Sequence, residues 1–195
     1  MKKIKVKVSL IIATSLLLTL ATIYTTLLFV LDTDKETNNV VVGYNDIEVE
    51  EEFNPPSELK QGENTYQKAV SVKNTGNTDA YVRVFVAFSS KEIEDISQVS
   101  GDSGVTYSSF STFVPPEGWV KNNTDGFFYF EDPISPQEST PDLITNVKTT
   151  FANAEDVQQY EILVYAESVQ AKDLNGETPN NYTYSAAWDE FLQRK

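Results

Sequence analysis

From Ala80 to Phe88 the chain reads Ala-Tyr-Val-Arg-Val-Phe-Val-Ala-Phe, a run of β-branched and aromatic side chains. Such residues favour extended backbone, where a branched Cβ packs on a pleated surface instead of crowding a helical turn. Val82, Val84, Val86 and Phe88 recur at period two, which predicts a strand with one face on a core. Tyr81, Phe85 and Ala87 make the other face apolar as well, so a central place in its sheet is expected. Arg83 also lies on that second face, where its replacement is expected to cost much less than that of Val84. Just upstream, Lys68, Val70 and Val72 share one face of a preceding strand. Asn74-Thr75-Gly76-Asn77 lies between the two, and its glycine and asparagines suit a short reversal. The expected unit is strand, tight turn, strand.

The rest of the chain repeats this grammar. Ile47 and Val49 alternate with Asp46, Glu48 and Glu50, which predicts a half-exposed strand ended by Pro55 and Pro56. The run Glu50-Glu51-Glu52 has the composition of a cation site but is better read as a charged edge that discourages stray sheet pairing. Residues 89–125 form a polar, Ser-rich excursion with a short helix expected over Lys91–Val99 and a buried Trp119 at the return. Phe127–Phe130, Leu143–Phe151 and Gln159–Ala171 read as further strands. The period then changes. Tyr184, Ala187, Trp188, Phe191 and Leu192 fall on one face of a helix, with Thr183 or Ser185 as its N-cap. Six or seven strands with one terminal helix point to a mainly β protein, a jelly-roll-like β-sandwich with a short C-terminal helix.

Charge is distributed unevenly along the 195 residues. Lys2, Lys3, Lys5 and Lys7 precede an uncharged, apolar stretch from residue 8 to 31, and no acidic residue comes before Asp32. A basic segment followed by an apolar helix is an export signal, so residues 1–31 read as a signal peptide or a membrane anchor, leaving 32–195 as the domain. The 24 uncharged residues would also span a bilayer, for which about 20 suffice. Cleavage between Ala21 and Phe29 is the expected outcome, and a retained anchor the alternative. Without the leader, 29 acidic residues face 11 basic ones, a net charge of −18. Such a surface repels nucleic acid and anionic lipid.

The segment Ser71-Val72-Lys73-Asn74-Thr75-Gly76-Asn77-Thr78-Asp79-Ala80-Tyr81-Val82-Arg83-Val84 resembles the core signature of the TasA/camelysin family, exported surface and biofilm-matrix proteins of Gram-positive bacteria. Other pieces agree in order: the leader, Asp32-Thr33-Asp34, Asn38 to Gly43, Gly118-Trp119, Asp125 to Phe130, Pro133 to Pro136, Thr140 to Leu143, and Ile162 to Ala171 with Ala186-Ala187-Trp188. The resemblance implies a dedicated signal peptidase of the SipW type as a partner, cutting near Asp32. Here Leu27 to Leu31 is bulkier than the family's usual stretch. It further implies self-association into filaments by strand donation, for which Asp34 to Val49 is the expected donor segment, the alternative being that this segment pairs within its own domain as an ordinary first strand. The implied location is secreted or at the cell surface, with membrane contact through residues 1–31.

Camelysin-type relatives carry a metalloprotease label, so a secreted or membrane-anchored metalloprotease is the alternative reading. The residue inventory opposes it. There is no histidine and no cysteine, which removes the usual zinc ligands and the Ser-His-Asp and Cys-His mechanisms. Asp102-Ser103-Gly104 is the one aspartic-protease-like tripeptide, and it has no second copy and no apolar strand before it. The glycines are too scattered for a phosphate loop. No catalytic, cofactor-binding or metal-ligating residue is therefore nominated, and the expected function is that of a non-catalytic surface or extracellular-matrix protein.

Overall fold

The alternating segments become strands with the expected facing, divided between two antiparallel sheets. The structure, a computed structural model, describes residues 45–172, 176–177 and 181–194. The leader expected over residues 1–31, and residues 34–44 of the expected donor segment, lie outside them. The strands are β1 (Ile47–Asn54), β2 (Gly62–Asn74), β3 (Ala80–Phe88), β4 (Ser97–Ser100), β5 (Ser108–Ser109), β6 (Trp119–Lys121), β7 (Phe128–Phe130), β8 (Ile144–Phe151) and β9 (Ile162–Gln170). Two helices accompany them, α1 (Lys91–Asp95) and the C-terminal α2 (Tyr184–Leu192). One sheet runs β1-β2-β8-β4-β5 and the other β6-β7-β3-β9, making a two-sheet sandwich.

The expected tight hairpin is not one. β2 and β3 lie in different sheets, and residues 75–79 carry the chain across the sandwich between them. Each strand has one strongly apolar face, and a crossing lets both faces enter the same core. Val70 and Val72 from one sheet and Val82 and Val84 from the other are all 0 % exposed. Asn74 holds the corner. Its side-chain amide donates to the Thr78 and Ile134 carbonyls, both at 2.8 Å, and its Oδ1 accepts the Gly76 N–H at 2.9 Å. The Thr75 and Gly76 N–H groups donate to the Asp46 carbonyl, at 3.0 and 3.1 Å. Every polar atom of this buried amide thus has a partner, as a dehydrated site requires.

β3 is central, between β7 and β9, as its doubly apolar faces predict. Arg83, on the face opposite Val84, is 4 % exposed, so that face is buried as well. The outer face of this sheet is covered by α2, whose Trp188 packs with Tyr81, Tyr129 and Val169 in a second, smaller core. The helix is capped as expected: the Thr183 hydroxyl accepts the Ala186 N–H.

The Ser-rich excursion holds more structure than its composition suggests. The expected helix stops at Asp95, and Val99 belongs to β4, paired with Val147 of β8. Ser97 faces Thr149 across that pair with their hydroxyls 2.8 Å apart, so two small polar residues sit in the sheet without an orphaned group. These short strands raise the count beyond six or seven. Trp119 is buried as expected and donates its indole N–H to the Pro141 carbonyl at 3.0 Å. Gly118 precedes it at φ +85°, where a Cβ would come within 2.7 Å of the Phe130 ring.

Candidate functional site

Among the described residues, β1 and β9 are the edge strands on one side of the sandwich, each hydrogen-bonded to a single neighbouring strand. The Asn45 amide joins the two edges at one end by donating to Ser168 Oγ at 2.9 Å. Toward the far ends of these strands, at Phe53 and Ile162, lies a groove of about 1010 Å³.

Local sequence explains the walls. Period two turns Glu51 and Phe53 of β1 toward the groove, and Tyr66 and Lys68 of β2 beside them. Pro55 and Pro56 end β1 and fold the chain back past Leu59 to form one rim. Residues 157–161 and the start of β9 form the other rim. Lys68 is buried, with Nζ 2.7 Å from Glu51 Oε2 and 5.2 Å from the centre of the Phe53 ring. Phe53 meets Tyr66 edge-on at 5.6 Å and stays half exposed.

From the groove a chain of hydroxyls leads inward. Tyr66 OH lies 2.6 Å from Tyr160 OH, which lies 2.7 Å from Thr149 Oγ1, and that oxygen bonds to Ser97. Burial raises the Tyr66 phenol well above its ordinary value, and the hydrogen bond to Tyr160 raises it further. The four hydroxyls of Tyr66, Tyr160, Thr149 and Ser97 thus form a continuous hydrogen-bonded chain.

Of the acidic residues singled out from sequence, Glu51 lines this groove, while Glu50, Glu52 and Asp102 do not. Glu50 and Glu52 lie on β1 with Glu51 between them, and Glu50 accepts a hydrogen bond from Ser139 Oγ at 2.8 Å. β1 is an edge strand, as the reading of the run as a charged edge requires. Asp102 sits in the loop after β4, accepting from Ser100 Oγ at 2.6 Å and from the Val105 and Thr106 N–H groups at 3.1 and 2.8 Å. The Ser100 hydroxyl, then those backbone donors, hold its carboxyl down to about 2. It is a turn-closing carboxylate. Among the described residues, no three Asp or Glu side chains converge to hold a metal ion, and no helix is long and apolar enough to cross a membrane.

A second polar cluster lies under α2. Cross-strand register puts Tyr129, Arg83 and Glu167 in one row over β7, β3 and β9. Arg83 donates through Nε to Glu167 at 2.7 Å, through Nη2 to the same carboxylate, and through Nη1 to Tyr129 OH at 2.8 Å. Tyr129 in turn donates to Asp125 Oδ2 at 2.5 Å. Burial would lower the Arg83 value, but the bonds to Glu167 and Tyr129 outweigh it and hold the guanidinium charged. Sequence reasoning missed both clusters. Arg83 opposite a late strand rich in Glu and Tyr is the only signal that pointed to this one.

Compared with models of known protein families the chain matches none, and comparison with curated proteins gives no match either.

Proposed function

We propose that the protein is an exported, non-catalytic surface or matrix protein whose copies associate through the open side of the sandwich, one subunit donating an N-terminal strand to the next. The observation that carries this reading is the pair of edge strands on one side, β1 and β9, each paired with one strand among the described residues. Edges of this kind add an extended segment through main-chain hydrogen bonds. The crossing of β2 and β3 between sheets also supports assigning the sandwich to the jelly-roll type. The resemblance to the TasA/camelysin family, the basic-apolar leader and the absence of histidine and cysteine are consistent with export and against zinc proteolysis. On this reading a SipW-type signal peptidase frees the segment from Asp34 onward, and the mature protein is secreted or surface-bound.

Residues 47–54 already pair with β2, so the donated part is upstream of Ile47. A chain beginning at Phe29 is expected to form filaments, and one beginning at Asn45, which keeps β1, to stay monomeric by light scattering. Filaments from both, or from neither at high concentration, would refute strand donation. Casein cleavage abolished by a chelator would instead establish the protease.

A further inference from the structure

The groove between the ends of β1 and β9 differs in charge and chemistry from the segment expected to complete the sandwich. Its ionisable lining is Glu51, Glu58, Glu161 and Lys68, a formal charge of −2. Lys68 is not available to an incoming anion, because it is buried against Glu51 and the Phe53 ring. Glu51 itself is still 34 % exposed. The donor segment upstream of Ile47, Asp34 to Asp46, carries three acidic residues and one lysine, a charge of −2, so at this groove a second copy meets like charge.

We propose that the groove docks an extended basic segment of a different protein. Its lysine or arginine side chains would lie against the exposed face of Phe53 and among the carboxylates of Glu51, Glu58 and Glu161. Three features of the groove converge on that chemistry. The surplus carboxylates supply charge complementarity and a fast, salt-sensitive encounter. The Phe53 ring, half exposed, offers a face to a cation, a contact that gains strength as water is excluded. The rims are the ends of two edge strands, whose outward backbone groups suit an extended peptide and not a compact ligand. The inference does not depend on whether copies assemble.

The test uses the full mature chain and a fluorescein-labelled peptide of alternating lysine and valine, followed by fluorescence polarisation. The peptide of alternating glutamate and valine is the counter-probe. Binding of the lysine peptide is expected to be roughly tenfold or more tighter than that of the glutamate peptide, and to weaken as salt is raised. Glu58→Gln/Glu161→Gln and, separately, Phe53→Ala are each expected to weaken it by about fivefold or more. Glu117→Gln/Glu131→Gln, which removes the same charge from exposed positions outside the groove, is expected to change nothing. Equal loss in the two double variants would mean that any acidic surface binds the peptide, and overturns the proposal. So does equal binding of the two peptides. Light scattering of the same variants without peptide separates this site from self-assembly. If the groove variants stop filaments yet leave the peptide affinity unchanged, the groove is a contact between copies and the proposal fails. A parent protein that never assembles refutes strand donation but leaves the peptide titration as decisive as before.

Discussion

The guanidinium of Arg83 lies 4.3 Å from the ring centre of Trp188, so a central strand and the C-terminal helix are joined by a cation on an aromatic face. The same guanidinium lies 4.1 Å from the Phe127 ring and is bonded to Glu167 and Tyr129. The row of polar residues on the outer face of the sheet is thereby turned into a second core once α2 settles on it.

Removing that cation takes the ion-pair charge away from Glu167 and a donor away from Tyr129. Arg83→Ala is expected to lower stability by about 3–5 kcal/mol, the usual effect of breaking a buried ion pair from one side. Urea denaturation followed by circular dichroism gives the value, and an unchanged denaturant slope would show that the fold is retained. A loss no greater than that at an exposed position would mean that the cluster is solvated.

Trp188→Ala is expected to cost about 3–5 kcal/mol, as for other large-to-small changes at buried aromatics. Trp188 is 2 % exposed and contacts Tyr129 and Phe191 edge-on, at 5.8 and 5.6 Å. Because Arg83 and Trp188 are in contact, the double variant should lose less than the two single losses combined, by about 0.5 kcal/mol or more. Strict additivity would remove the helix from the account of Arg83 burial.

Val84→Asp is expected to unfold the domain, since position 84 is 0 % exposed and faces the main core between the sheets. An unpaired carboxylate there has no partner, and its burial costs several kcal/mol by any reference state. A melting temperature matching the parent's would show that β3 presents its other face to the core.

Two carboxylates predict opposite pH behaviour. The Asp102 carboxyl is depressed to about 2 by its hydrogen bonds, so its contribution is present above the ordinary carboxylate range and disappears as pH falls toward that value. Asp102→Ala is therefore destabilising at neutral pH, with the gap to the parent closing as pH drops toward 2. Asp142 is raised, first by burial and then by the charges of Glu52 and Glu50. Its contribution is greatest below the ordinary carboxylate range and is lost as pH rises, so Asp142→Asn stabilises at neutral pH and gains nothing in acid. Urea titrations of parent and variants over this pH range read both signs. Parallel curves for parent and variant would refute the assignment for that residue.

Periodicity alone carried much of this molecule. The alternation of Val82, Val84 and Val86 with Tyr81, Arg83 and Phe85 determined the facing of β3. The spacing of Tyr184, Ala187 and Trp188 determined the face that α2 buries. Both are local properties, set by where successive Cβ atoms point in an extended or helical backbone. The partition of strands between sheets was not legible there. It depends on partners far along the chain, as when Asn74 reaches the Ile134 carbonyl 60 residues away and makes a crossing of what reads as a hairpin. The same holds for Arg83, whose burial requires Glu167 at a separation of 84 residues together with the cover of Trp188. It holds again for the groove, where Tyr66 and Tyr160 meet across 94 residues. A residue's own sequence neighbourhood states which way it points, while water is excluded from it only by elements brought up from elsewhere, as Trp188 of α2 is brought over Arg83.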